Sequence, residues 1–291
     1  MSTGDSASSL AAEFPTPTRR QWLLGVAGAL KLDPAIVDGD DPESALAKLR
    51  STTLDHIEIE PLYSADDETS DAIGLPGFAP FIRGRRAAGA RDTNWDVRQL
   101  IDASWPTVDA VGELERGATS LWLDLRHTEV IDVDVLDHVL KGVLLDLAPV
   151  VLDAGERWEQ AAEAFAALCA RRDIRPAAGS SIGADPLGEH ASRGGSTTPD
   201  LGALVHACAS ADAVRVIVVD ATRYNDAGAS DGQELAFVVA AAVEYLRALT
   251  SGGVDLATSL AHIELRIAAT ADQFATVAKI RALRRVWARV A

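Results

Sequence analysis

Two short groups of charged residues follow apolar runs and could carry chemistry. Asp124, Arg126 and His127 come at the end of a run typical of a buried strand. In barrels of parallel strands and helices the carboxyl ends of the strands face the active site, so such residues there could be catalytic. An ion pair that only anchors the loop is the alternative, and it is the interpretation that we favour.

A second group, Asp220, Arg223 and Tyr224, follows the clearest strand pattern of the chain, the valine-rich run 214–219. Both groups are expected at the same face of a parallel sheet. The residue types allow either chemistry or a buried salt bridge that fills a cavity, and the salt bridge is the prediction.

Metal and phosphate motifs are weak. His190 lies near Asp185 and Glu189, which resembles a loose metal cluster, but the Gly- and Ser-rich surroundings predict a mobile loop instead. The Gly-Gly pairs at 194–195 and 252–253 do not stand between a strand and a helix in the order that a phosphate-binding fingerprint requires. We therefore predict no metal ligand.

The composition is that of a folded, acidic protein. The 291 residues carry 27 Lys and Arg against 43 Asp and Glu, a formal net charge of −16. Nucleic acids and anionic membranes are bound by clustered cations, so neither is expected as a partner. Cys169 and Cys208 are too few for a disulfide framework or a cysteine metal cluster. Without a recognisable signal peptide or transmembrane run, we predict a reduced, cytoplasmic protein.

Composition also suggests three parts. Residues 1–17 are rich in Ser, Ala, Thr and Pro and are predicted to be a flexible lead-in. Residues 18–94 form an arm that ends in a long loop, 64–94, dense in Gly, Pro, Asp and Arg; loops of that length are usually functional or bind a partner. Residues 95–291 carry alternating strand and helix patterns.

The arm shows local signals of its own. Thr18 is a candidate N-cap for a helix that begins near Arg19. A second short helix is predicted at 42–49. Ile57 and Ile59 alternate with glutamates, which is typical of a short strand.

Beyond residue 95 the chain repeats βα units. Strands are predicted for five short apolar runs, at 119–125, 149–152, 175–178, 214–219 and 263–268. Helices are predicted at 95–103, 109–116, 134–145, 156–171, 233–249 and 273–290. Such repeats indicate a parallel sheet covered by helices, either an open doubly wound sheet or a barrel. A closed (β/α)8 barrel needs eight strands, so five would leave three missing.

Residues 54–101 contain Pro, Gly, Trp and Arg in a fixed order. The order is Pro-Gly-x-x-Pro-(Phe/Tyr)-x-Arg-Gly and then Trp-x-(Ile/Val)-Arg-Gln, carried by Pro76, Gly77, Pro80, Phe81, Arg83, Gly84, Trp95, Val97, Arg98 and Gln99. This segment resembles the entrance to the barrel of the acyl-CoA mutases that use adenosylcobalamin, of which methylmalonyl-CoA mutase is the type. The resemblance implies an α/β fold, a (β/α)8 TIM-type barrel of which about five βα units are present, after a helical and extended arm.

Two later blocks extend the resemblance to about residue 288. The first matches Ala-Gly-Ala-(Thr/Ser) and Gln-Glu-Leu-Ala-(Phe/Tyr) at Ala227, Gly228, Ala229, Ser230, Gln233, Glu234, Leu235, Ala236 and Phe237. The second matches Lys-x-Arg-x-x-Arg-x-(Leu/Val)-Trp, with identical residues at Lys279, Arg281, Arg284 and Trp287, and Arg285 beside them.

The chain departs from the family where the family places its catalytic groups. An active-site Gly-Tyr-His aligns with residues 221–223, so Arg223 stands in the place of the histidine. Arginine is a permanent cation and cannot serve as a neutral imidazole. A tyrosine-bearing run of the family aligns with residues 84–90, which contain no tyrosine. We predict no catalytic residue, and Arg83, Arg86 and Arg223 stay as weak candidates for substrate binding.

The family holds cobalt through a histidine in an Asp-x-His-x-x-Gly loop. None of the six histidines has an aspartate two residues before it: His56, His127, His138, His190, His206 and His262. The resemblance therefore implies that adenosylcobalamin is bound by a partner subunit and not by motifs of this chain.

The resemblance is to the small, non-catalytic subunit of heterodimeric methylmalonyl-CoA mutases, which implies the large subunit as partner. The arm is expected to lack a core of its own and to pack on that partner through Trp22, Leu54, Ile57 and Ile59. Because the last residues stop within a predicted helix, we expect a piece covering the N-terminal half of a longer subunit.

The resemblance implies an isomerase complex that interconverts methylmalonyl-CoA and succinyl-CoA by radical rearrangement. This chain is expected to be structural within it. Two alternatives stay open from the sequence: a fragment of an active acyl-CoA mutase with another acyl-CoA substrate, and a stand-alone β/α binding module.

Overall fold

The computed structural model describes residues 14–15, 17–32, 46–67, 74–84, 87, 95–105, 109–195, 199–211 and 214–291. Contacts divide the chain into two units, Met1–Asp71 and Ala72–Ala291. Among the described helices none is long and apolar enough to cross a bilayer.

The first unit is built on helix α1, Arg19–Ala29, which begins where the sequence predicts. The Thr18 hydroxyl accepts from the Gln21 backbone, and the Gln21 side chain accepts from the Thr18 backbone, which is a complete capping box. Its apolar face buries a small cluster made by Leu23, Val26, Ala27 and Leu46. The expectation that the arm lacks a core of its own is therefore wrong, although this core is small.

The first unit also contains a short antiparallel hairpin. Strand β1, Ser51–Thr52, pairs with β2, Glu58–Ile59, so the predicted strand near Ile59 is confirmed. The helix predicted at 42–49 is described only from residue 46, and residues 46–48 form a single 3-10 turn.

The second unit is a parallel sheet of six strands. These are β3 Arg98–Asp102, β4 Ser120–Asp124, β5 Val150–Asp153, β6 Ser181–Ala184, β7 Arg215–Asp220 and β8 Ile263–Arg266. Helices alternate with them: α2 Ala110–Glu115, α3 Val133–Val139, α4 Trp158–Arg171, α5 Pro186–Ser192, α6 Gly202–Ser210, α7 Thr222–Asp226, α8 Asp231–Ser251, α9 Leu256–His262 and α10 Gln273–Val290.

The strands lie side by side in chain order, and each neighbouring pair is parallel. A doubly wound sheet would reverse its order at a switch point, so this order is that of a β/α barrel. The α/β fold and the incomplete TIM-type barrel are confirmed. The described residues contain six strands in this sheet, one more than the five predicted.

An ion pair between the outermost strands shows that the sheet curls. In a flat sheet β3 and β8 would lie five strand spacings of about 4.8 Å apart, or about 24 Å. Yet Arg98 Nη1 on β3 lies 2.8 Å from Glu264 Oε1 on β8, although an extended Arg–Glu pair spans at most about 14 Å between its Cα atoms. The two strands are not hydrogen-bonded neighbours. The barrel is therefore curved but not closed.

Side chains alternate between the two faces of this curved sheet. Leu121 and Leu123 of β4 are fully buried among the helices of the outer layer. Ser120, Trp122 and Asp124 point to the other side, the concave face that we call the lumen. The lumen carries polar residues at both ends of the strands, and this places charged groups at the carboxyl ends.

The helix predicted at 95–103 is wrong, because this segment contains β3. Only Ile101 of the strand is buried. Arg98 faces the lumen in an ion pair, and β3 is an edge strand, so the continuous apolar run that identifies a buried parallel strand is missing.

The strand predicted at 175–178 is also wrong, since β6 begins only at Ser181. Pro176 has no N–H to donate to a ladder. In β6 the lumen face carries Ser181 and Gly183, which have low strand propensity. Gly183 is at a register irregularity and has φ +73°, close to the Leu152 carbonyl oxygen of β5.

Stability should depend on pH through His262, the last residue of α9. This side chain is 7% exposed, and its Nδ1 has no hydrogen-bond partner among the described residues. Burial lowers the pKa of the imidazole, against a hydrogen bond to the Cys208 backbone. The folded chain thus resists protonation, while the unfolded chain takes up a proton below about pH 6.5. The free energy of unfolding should be constant above that pH and fall below it.

Urea unfolding on either side of about pH 6.5 measures this dependence. In the His262→Gln variant the free energy of unfolding should lack the decrease that His262 causes between about pH 6.5 and its lower pKa in the folded chain. The control is His206→Gln, because the His206 side chain is exposed. If the two variants keep the same pH profile as the original chain, His262 does not cause the dependence.

Candidate functional site

The carboxyl ends of the strands form an acidic mouth. An aspartate ends, or directly follows, each of the strands β3 to β7: Asp102, Asp124, Asp153, Asp185 and Asp220. Strand β8 instead ends in Arg266. These groups lie at the face where β/α barrels build their active sites, which makes the mouth the candidate functional site.

Arg266 neutralises one side of the mouth. Its Nη1 lies 2.8 Å from Asp220 Oδ2, and its guanidinium stacks on the Trp122 ring at 3.9 Å from the centroid. The other Asp220 oxygen accepts from the backbone and the hydroxyl of Thr222, at 2.9 and 2.6 Å. Both oxygens of Asp220 are therefore engaged within the chain.

Asp124 and Arg126 form the ion-paired anchor that the sequence favours. Burial alone would raise the pKa of the Asp124 carboxyl, but hydrogen bonds from the Arg126 side chain and backbone outweigh it and lower that pKa. Arg157 holds the same loop by donating to the carbonyl oxygens of residues 125 and 126. Asp153 is less well paired: Arg126 Nε is 3.7 Å away, and burial raises the pKa of its carboxyl.

Asp185 is the most enclosed acid of the mouth, with 5% exposure. Its carboxylate accepts from the Tyr245 hydroxyl at 2.7 Å and from the Gly188 and Asp220 backbones. Burial raises the pKa of both Asp185 and Tyr245. The Tyr245 oxygen in turn accepts from the Leu187 backbone. This group fixes α8 to the beginning of α5.

Arg223 forms a salt bridge, as predicted, but with different acids. Its Nη1 donates to Glu189 at 3.2 Å and to Ser192 at 3.1 Å, and its Nη2 lies 3.6 Å from Asp185. From Asp220 it contacts only the backbone oxygen, at 3.2 Å from Nε. Arg223 thus connects α7 to α5 across the mouth.

The remaining predicted residues are separate from this network. Tyr224 stacks on Phe237 at 4.4 Å between centroids, beside the mouth. Arg83 is exposed, on a loop that contacts α10 because Arg284 donates to the Ile82 oxygen. Arg86 lies outside the described residues. The interface candidates of the arm, Trp22, Leu54, Ile57 and Ile59, lie in the first unit.

Sequence reasoning missed Asp153, Tyr245 and Arg266. A signal for the first was available, since an aspartate recurs at the end of nearly every strand. His190, Asp185 and Glu189 do not form a metal cluster: among the described residues no group of three or more His, Cys, Asp and Glu could hold a metal.

Fold and site together define a β/α barrel protein whose mouth is lined by mutually paired acids and arginines. The sequence matches the profile of the methylmalonyl-CoA mutase family over residues 52–134 and 128–291. The chain belongs to the methylmalonyl-CoA mutase family.

Several curated relatives are named as small subunits. A "Methylmalonyl-CoA mutase small subunit" of Streptomyces virginiae is 44% identical over 99% of this chain and 47% of the relative. One of Propionibacterium freudenreichii subsp. shermanii is 37% identical over 97% of this chain and 45% of the relative. A "Probable methylmalonyl-CoA mutase small subunit" of Mycobacterium tuberculosis is 37% identical over 94% of this chain and 45% of the relative. The chain spans about half the length of the curated relatives it matches.

Proposed function

We propose that this chain is the non-catalytic small subunit of a heterodimeric, adenosylcobalamin-dependent methylmalonyl-CoA mutase, and that it stabilises the large subunit. The observation that carries the proposal is the environment of Arg223. The residue that stands in the place of the family histidine is engaged by Asp185, Glu189 and Ser192 of the same chain. A side chain held in this way serves the fold and is not free for a substrate.

In this proposal the complex is an isomerase for methylmalonyl-CoA and succinyl-CoA. Adenosylcobalamin, when bound, supplies the radical that starts the rearrangement. The donor groups of this mouth do not fit a cobalt site, because the strand ends carry acids and not imidazoles, and arginines of the chain engage Asp124, Asp185 and Asp220. His127, which follows β4, lacks the aspartate two positions before it. We therefore assign no step of the reaction to this chain.

Restoring the family residue should weaken the fold and not create a site. Arg223→His removes the contacts to Glu189 and Ser192 and leaves Asp185 without its cation. A loss of about 1–3 kcal/mol in the free energy of unfolding is expected, because buried acceptors lose their partners. Urea unfolding measures it, and calorimetric titration with methylmalonyl-CoA should show no binding.

The control is Arg193→His, just after α5. The ion pair between Arg193 and Glu156 is exposed and should contribute little to the free energy of unfolding. If Arg223→His is as stable as the control and binds the acyl-CoA, position 223 has kept a role in substrate binding.

The arm supplies the proposed contact with the large subunit. Trp22 packs partly against the cluster of the first unit, whereas Leu54 and Ile57 of the hairpin are 79% and 58% exposed. The double variant Leu54→Ala/Ile57→Ala should weaken association with the large subunit by about 2 kcal/mol or more, as truncated interface anchors do. Its own unfolding should change little. Biolayer interferometry against the large subunit measures the affinity.

The matched control is Leu144→Ala/Leu147→Ala in the second unit, where both side chains are also exposed. Trp22→Ala should weaken association too, and also destabilise the first unit. If the control pair weakens association and the hairpin pair does not, the hairpin is not the contact.

Affinity purification of the tagged chain from its native cell, followed by mass spectrometry, tests the function as a whole. We expect a large subunit that carries Asp-x-His-x-x-Gly. Recovery of the chain alone would favour a stand-alone binding module.

A further inference from the structure

An apolar groove lies between α2 and the turn that joins α3 to β5. Val111 and Leu114 of α2 form one wall, Leu144 and Leu147 of the turn form the other, and the volume is about 360 Å³. Residues 118–119, just before β4, also line it, so the groove lies at the end of the strands opposite to the acidic mouth. We propose that this groove and its leucines form the contact surface between two copies of this chain.

Two leucines beside the groove are exposed to solvent. Leu144 and Leu147 are 63% and 71% exposed, whereas their neighbours Val143 and Leu145 are buried in the core. The turn thus fills the core with one set of apolar side chains and presents a second set outwards. Exposed apolar side chains that lie together beside a concave surface are typical of an interaction site.

The leucines are held in place within the chain itself. The Leu144 oxygen accepts from the Leu147 and Ala148 N–H groups at 3.0 and 2.9 Å. At Gly142, which has φ +81°, an added Cβ would lie 3.1 Å from Val111 Cγ2, so the turn and α2 are in close contact there. A surface that is already ordered loses little conformational entropy when a partner binds.

The shape of this surface suits a second copy. A dimer with two-fold symmetry requires that one patch contain both sides of every contact. Here the exposed leucines project and the groove beside them is concave. Each copy therefore offers Leu144 and Leu147 to the groove of the other.

The charges beside the groove are also self-complementary. Glu115, on the α2 side, and Lys141, on the turn side, are exposed, and among the described residues neither side chain has an ion pair or a hydrogen bond. A two-fold axis through the patch brings Glu115 of one copy towards Lys141 of the other, and it does so twice. Asp146, exposed between the two leucines, adds an anion without a counterpart.

Other occupants fit less well. An anionic membrane would be repelled by a chain with a net charge of −16, and a basic peptide would place like charges opposite Lys141. Because the patch is small and Asp146 is unmatched, we expect a weak dimer of the class with little buried area. The inference does not involve Arg223, the arm or the large subunit, so it can fail or hold separately from the proposed function.

Sedimentation velocity of the full chain at a series of concentrations, without a large subunit, tests the dimer. We expect a concentration-dependent equilibrium between monomer and dimer. Leu147→Lys should weaken it by at least about tenfold, because it places a charge in an apolar contact twice per dimer. The matched control is Leu256→Lys on α9, a leucine that is 52% exposed, which should dimerise as the original chain does.

Reversing the charges tests the two-fold arrangement without changing the apolar contact. Glu115→Lys and Lys141→Glu should each weaken the dimer by at least about threefold, since like charges then face each other at two places. The double variant should restore the original affinity, and Leu54→Ala/Ile57→Ala should have no effect. A chain that stays monomeric at every concentration, or a dimer that Leu147→Lys and both charge variants leave unchanged, would overturn the proposal.

Discussion

Replacing Gly183 by alanine is expected to cost about 4 kcal/mol or more in the free energy of unfolding, or to prevent folding altogether. An alanine Cβ at this position would lie within van der Waals overlap of the Leu152 backbone oxygen, and the residue has φ +73°. The neighbour is the backbone of the adjacent strand β5, which cannot move aside as a flexible side chain could. The strand β6 would have to separate from β5. Circular dichroism and urea unfolding of the purified variant measure the effect.

Gly117→Ala is the control that separates the clash from the backbone strain. Gly117 also has a positive φ, +113°, but an added Cβ there meets no atom within 4 Å. Its replacement should cost only the strain of an unfavourable backbone conformation, about 1–3 kcal/mol. Equal losses in the two variants would mean that the contact with Leu152 is not what requires glycine.

Lys279→Met is expected to cost about 3–5 kcal/mol in the free energy of unfolding, because it leaves the buried Glu234 carboxylate without its cation. The Lys279 ammonium lies 2.6 Å from Glu234 and 2.8 Å from Asp231. The Lys279 and Glu234 side chains are 1% and 0% exposed. Glu234 also accepts from the Ala268 backbone, so the pair joins α8, α10 and the loop after β8.

The partner variant shows whether the charge is responsible. Lys279→Met combined with Glu234→Gln should be more stable than Lys279→Met alone, since the unpaired charge is gone. Lys141→Met, at an exposed position, should change stability by less than about 0.5 kcal/mol. If the double variant is less stable than the single one, the loss comes from packing rather than from the buried carboxylate.

Much of the fold could be predicted because parallel strands buried on both faces are apolar without interruption. This applies to β4, β5 and β7, which are found close to their predicted positions. Strand β8 is also found close to its predicted position, although Ile263 and Leu265 alternate there with Glu264 and Arg266. Strand β3 has only one buried residue, since it lies at the edge, and β6 carries Gly183 at its irregular pairing. Both depend on contacts with other strands that a local pattern does not contain.

The location of the site could be predicted from the sequence, but the contacts between its side chains could not. The aspartates that follow two apolar runs correctly indicated the carboxyl ends of the strands. Tyr245 meets Asp185 across 60 residues of sequence, and Arg98 meets Glu264 across 166. Family motifs contained Arg98, Glu234 and Lys279, yet only the structure shows that ion pairs within the fold engage all three.

Binding of adenosylcobalamin is the measurement that most directly tests the proposed non-catalytic role. The chain, the large subunit and their co-purified complex are each dialysed to equilibrium against adenosylcobalamin, and the bound cofactor is quantified from its visible spectrum. We expect stoichiometric binding by the large subunit and by the complex, and no more binding by this chain than by an unrelated acidic protein. Saturable binding with a shifted cobalamin spectrum in the chain alone would contradict the proposed role.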